Sequence, residues 1–99
     1  PYWRTHLNNK IETYIGFAIK KGSIAYGVDG IRACRKRIFV VLYTQNLSEV
    51  SKKSLLSFTE KRGLQAMQID EYDLLKRRNC KAVAICDKSL ADAVVLNLK

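Results

Sequence analysis

The segment Ile38-Phe39-Val40-Val41-Leu42-Tyr43 is apolar, β-branched or aromatic at every position. A strand with one wet face alternates apolar and polar residues, so an unbroken run of this kind calls for cover on both faces. Lys81-Ala82-Val83-Ala84-Ile85-Cys86 makes the same demand further along. The covering layers are legible on either side of these strands. Ile11, Tyr14, Ile15, Ala18 and Ile19 recur at helical spacing, after Asn9 and Glu12 in a capping-box arrangement and before a stop at Gly22. Ser23 to Tyr26 reads as a short strand, and Val28 to Lys36 as a short helix with Ile31 and Cys34 inward. Ser48 through Arg62 reads as a helix that buries Leu55, Leu56 and Phe58 and ends at Gly63. Leu64 to Ile69 is a further strand, Asp70 to Arg78 a short helix, and Ser89 to Leu98 a last amphipathic helix capped by Asp87 or Ser89. Strands alternating with helices predict an α/β fold with a sheet between helical layers.

At 99 residues there is room for one domain, expected over 10–99 behind a ragged segment 1–9. The chain opens on Pro1 rather than Met, as expected of a processed chain or a piece of a longer one. No apolar run reaches the length of a membrane span, and Pro1 through His6 lacks the basic-then-apolar order of a signal peptide. Charge is the unusual quantity. Eighteen Lys and Arg against nine Asp and Glu give a formal +9, a positive field that attracts polyanions. Nucleic acid is the expected partner, since neutralising phosphates releases condensed counterions. Three cysteines, Cys34, Cys80 and Cys86, form an odd count without metal-ligand spacing; they point to a reducing compartment, the cytoplasm, and to no zinc site.

Catalytic constellations are not evident. The single histidine, His6, falls in the ragged segment, so Cys-His and Ser-His-Asp arrangements would rest on one tail residue. Asp70, Glu71 and Asp73 open a helix, where carboxylates answer the positive end of the dipole. Gly27-Val28-Asp29-Gly30 lacks the glycine spacing and the Lys-Ser/Thr pair of a nucleotide-binding loop. No enzyme activity and no cofactor are expected.

The glycine at Gly27 still marks a junction where another backbone can approach and where helix N–H groups can meet phosphate. Asp29 opposes phosphate there but can accept hydrogen bonds from base amino groups. Arg32, Arg35 and Lys36 would share one helical face, which is either an RNA footprint or a solvated surface. Lys76-Arg77-Arg78 leads into a loop before a strand, a usual place for binding residues. Lys52-Lys53 and Lys61-Arg62 read as ordinary solvated positions. Because Tyr14, Phe17, Phe39 and Phe58 fit core patterns, shape- and phosphate-led binding of structured RNA is favoured over base stacking on exposed rings.

An ordered series of segments from Ile11 to Leu98 carries a resemblance. It comprises Tyr14-Ile15-Gly16-Phe17-Ala18-Ile19-Lys20-Lys21-Gly22, Tyr26-Gly27 opening a short helix with a basic end, the strand Ile38 to Tyr43, Ser48-Glu49-Val50-Ser51-Lys52-Lys53-Ser54-Leu55-Leu56, and Ala82 through Ala91. In this order they resemble the ribosomal-protein superfamily that includes the archaeal large-subunit protein "L-seven-Ae" and its small bacterial members. The resemblance implies a three-layer α/β/α sandwich with a central mixed sheet, and binding to structured RNA, in many members the kink-turn. Gly27 matches the family's glycine, whereas Asp29 stands for its Asn, Gly30 for its Glu and Ala33 for its Lys. The later hydrophobic loop is replaced by Tyr72-Asp73-Leu74-Leu75-Lys76-Arg77-Arg78. Kink-turn reading therefore does not carry over. The expectation is a monomeric, cytoplasmic, ribosome- or translation-associated RNA-binding protein, with ribosomal or translation proteins as further partners. The expected contact set is Lys21, Gly27, Val28, Asp29, Arg32, Arg35, Lys36, Arg77 and Arg78. The alternative is a protein–protein interaction module on the same fold.

Overall fold

A computed structural model describes residues 2–98, with side chains from residue 10 onward. Its elements run α1 (Tyr2–Lys21), β1 (Ile24–Tyr26), α2 (Gly27–Ala33), β2 (Val40–Thr44), α3 (Glu49–Arg62), β3 (Gln65–Ile69), α4 (Asp73–Arg77), β4 (Ala82–Ile85) and α5 (Lys88–Leu98). The four strands form one sheet in the order β1-β4-β2-β3. β2 and β3 are parallel, joined through α3, while β4 runs antiparallel to both β1 and β2. The sheet is mixed and lies between two helical layers. The fold is a three-layer α/β/α sandwich.

The two faces of β2 and β4 are both buried, as their unbroken apolar runs require. Val40, Leu42, Val83 and Ile85 point into a cluster with Ile11, Ile15 and Ala18 of α1 and Ala91 and Val94 of α5. Val41, Ala82 and Ala84 face the other way, against Ile31 of α2 and Leu55 of α3. Leu75 of α4 joins the first cluster and is fully buried, which fixes the turn that leads into β4.

Helix ends follow their local chemistry. Ser48 caps α3, its side chain accepting from the Ser51 N–H at 3.2 Å, and Gly63 closes the helix at φ 66°. Asp87 Oδ1 accepts from the Leu90 N–H at 3.0 Å, settling the cap of α5 on Asp87 rather than Ser89.

β2 starts at Val40, two residues after the start of its apolar run, and three helix boundaries differ from the sequence reading by three residues or more. α1 begins at Tyr2, so the backbone of 2–9 is helical rather than ragged, and Asn9 lies inside a helix instead of capping one. His6 belongs to this stretch, whose side chains lie outside the described ones. α2 stops at Ala33, because Cys34 turns to an extended backbone (ψ 128°) and its thiol packs 3.8 Å from that of Cys86. α4 is confined to Asp73–Arg77, leaving Asp70 to Tyr72 as its approach.

Candidate nucleic-acid interface

Two chain reversals meet on one side of the sheet. β1 ends at Tyr26 and turns directly into α2 through Gly27, whose φ of 71° is a backbone conformation that side chains with a Cβ resist. α4 ends at Arg78 and turns into β4 through Asn79, whose φ of 51° is tolerated because a short amide side chain suits the left-handed region. Because β1 and β4 are neighbours, with Tyr26 opposite Val83, the two turns lie side by side. Between them and the start of α3 is a cleft of about 570 Å³.

Arg32, Arg78 and Lys81 supply cations to this cleft against a single carboxylate, Asp29. Arg78 is held by the half-exposed ring of Tyr26, its guanidinium 5.5 Å from the ring centroid. Arg32 Nη1 reaches the Ser54 hydroxyl of α3 at 3.4 Å. Gly27 and Asn79 bring backbone to the rim, and Val50 of α3 adds an exposed apolar edge. Among the described residues the ion pairs join Lys21 to Asp87 and Lys76 to Glu71. The arginines and lysine of the cleft are thus not neutralised by protein carboxylates. Such a surface can hold phosphate oxygens by charge and by guanidinium forks, while Asp29 offers an acceptor to an amino group.

The nine residues expected as RNA contacts separate in space. Gly27, Val28, Asp29, Arg32 and Arg78 line the cleft together. Lys21 does not join them: it pairs with Asp87, tying the end of α1 to the start of α5. Arg35 and Lys36 lie beyond the end of α2, so they do not share a helical face with Arg32. They line a separate cleft, where Lys36 Nζ donates to the Gly22 carbonyl at 2.6 Å. Arg77 is exposed on α4 but lines neither cleft. Sequence reasoning missed Asn79 and Lys81, although the loop before β4 was marked by its basic run. It also assigned Lys61 and Arg62 to plain solvation, whereas both line a groove with Arg32. Their sequence distance from Arg32 left no local signal.

The cysteines are free thiols. Burial and a hydrogen bond with Cys34 push the Cys86 thiol up to about 11, away from the range of a ready nucleophile. Among the described residues no group of three or more His, Cys, Asp or Glu side chains could hold a metal ion, and no helix is long and apolar enough to cross a membrane.

No family model matches the chain, and no curated protein matches it. Among solved structures it is similar to a protein of unknown function from Bacillus halodurans, with a TM-score of 0.74 at 13% identity. The match covers 90% of this chain and 96% of that one. At this identity the likeness is one of fold, and it extends over nearly the whole of both chains.

Proposed function

We propose that the protein binds structured RNA through the cleft between the β1–α2 and α4–β4 turns, as a cytoplasmic component associated with the ribosome or the translation machinery. The observation that carries this reading is the convergence of Arg32, Arg78 and Lys81 on one cleft that holds a single carboxylate, Asp29, with none of the three cations in an ion pair among the described residues. Unpaired cysteines accord with a reducing compartment. Contacts of this kind are made to phosphate and depend on shape, with Asp29 and Asn79 of the lining as groups that can also meet a base edge.

Binding to a hairpin RNA, followed by fluorescence anisotropy across a salt series, tests this reading. Three phosphate contacts give a slope of log affinity against log salt of about −2 to −3. Arg32→Glu with Arg78→Glu is expected to weaken binding far more than Lys52→Glu with Lys53→Glu, which lie near the start of α3 but do not line the cleft. Equal losses in the two variants, or affinity independent of salt, would reject the cleft as the RNA site. A stoichiometric protein partner that survives high salt, without RNA, would instead support an interaction module.

A further inference from the structure

We propose that the cleft between α2 and β2 is a second phosphate-binding site, reached by the same RNA along the groove between α2 and α3. The inference rests on the RNA reading above and extends it to the opposite end of α3.

The second cleft, about 530 Å³, is lined by Arg35, Lys36, Arg37 and Arg62 and by no Asp or Glu. Among the described residues no carboxylate pairs with any of the four. Two of these cations are positioned by aromatic faces rather than by counter-charges. The Arg37 guanidinium lies 5.2 Å from the centroid of Phe39, and that of Arg62 lies 4.8 Å from the centroid of Phe58. A ring engages the face of a guanidinium and leaves its in-plane N–H donors for another acceptor. Lys36 spends one of its three donors on the Gly22 carbonyl, which holds the ammonium at the cleft. Fixed cations with unspent donors suit a multiply charged oxyanion.

The two clefts are connected by cations. Arg32 lines the first cleft and also an intermediate groove along α3, where Ser54, Lys61 and Arg62 follow. Arg62 lines both that groove and the second cleft. α3 has 14 residues and is therefore about 21 Å long. At roughly 3 Å of axis per nucleotide, one strand presents several phosphates over this span. A single phosphate or a small anion would use one end of the track, whereas a nucleic-acid strand uses both. The linked cations over this length therefore favour an extended polyanion, here the RNA strand, over a single small anion.

The experiment is salt-dependent anisotropy with a hairpin RNA whose stem exceeds ten base pairs. Variants are Arg37→Glu with Arg62→Glu and the neutral pair Arg37→Gln with Arg62→Gln. The control is Lys10→Glu with Lys20→Glu on α1, which changes net charge as much as the Glu pair but on the opposite layer. Circular dichroism checks the fold of each variant. The Glu pair should lose about tenfold in affinity or more, and the Gln pair should flatten the salt slope by about 1.4 to 1.8. The α1 control should lose much less. Wild-type protein that fails to bind RNA would overturn the RNA reading and this inference together. Wild-type binding that Arg32→Glu with Arg78→Glu abolishes, but that the Arg37 and Arg62 pairs leave unchanged, would overturn the second site alone. Equal loss in the α1 control would also overturn it, by assigning the effect to net charge.

Discussion

Thr44→Val is expected to stabilise the protein. Thr44 ends the central strand β2 and is 1% exposed, and its backbone N–H donates to the Lys81 carbonyl at 2.9 Å. Its hydroxyl Oγ1, also buried, has no hydrogen-bond partner within the protein. A buried polar group left unpaired costs about 1–3 kcal/mol. Valine keeps the β-branched shape and the backbone bond, and its methyl group adds up to about 0.8 kcal/mol of apolar burial. A gain of about 1–3 kcal/mol follows. In a domain of this size each kcal/mol moves Tm by about 4–8 °C, so even the lower bound is measurable by thermal unfolding. Urea unfolding should show a higher midpoint with an unchanged slope, since the exposed surface is the same. RNA affinity should not move, because the hydroxyl faces no cleft. A Tm equal to or below that of the wild type would refute the reasoning, by showing that the hydroxyl is satisfied, for instance by a buried water.

Four further outcomes follow. Gly27→Ala should lower stability by about 1–2 kcal/mol in chemical denaturation: the added Cβ meets no atom within 4 Å, so the cost is that of holding alanine at φ 71°. Ser48→Ala should cost about 0.5–2 kcal/mol through the lost α3 cap, read as a lower urea midpoint. Asp87 is held below the usual carboxylate range by the Lys21 ammonium and then by the Leu90 N–H, so its stabilisation is present above about pH 4 and is lost as the pH falls through the folded-state value. Asp87→Asn should flatten the acid limb of an unfolding series there. Cys86, pushed up to about 11, favours its neutral thiol in the fold; alkylation at pH 8 should be slow in native protein and fast in urea, and the thiol's contribution should decline as pH rises from about 8.5 toward 11.

The central strands, the stop of α3 at Gly63 and the layer order were legible because each rests on a local pattern, whereas Ser48 read as the first residue of α3 rather than as its cap. A doubly buried strand cannot hide its apolar run, and a helix that needs αL closure shows its glycine. The end of α2 was not legible, because Arg35-Lys36-Arg37 suits a helix terminus and nothing local shows that Cys34 leaves the helix to pack on Cys86, 52 residues away. The start of α1 was obscured by a capping pattern at Asn9 that the helix overrides. At the site, Gly27, Asp29 and Arg32 could be grouped from their spacing. Arg78, Asn79 and Lys81 join them only through the pairing of β1 with β4, and Arg62 joins Arg32 only through the packing of α3 on α2. Those are long-range contacts, which spacing along the chain does not encode.

The position of β4 between β1 and β2 also governs how the molecule comes to exist. β1 has no other partner in the sheet, and β2 has only β3 until residues 82–85 arrive. β4 is the last of the four strands along the chain, so the sheet cannot close until residues 82–85 enter between β1 and β2. Such non-local closure is slow and exposes strand edges meanwhile. The same event brings the Arg78 turn against Gly27 and assembles the first cleft. RNA that engages only the assembled cleft would shift the balance toward the closed sheet by mass action, making the ligand a thermodynamic support for the pairing of β4.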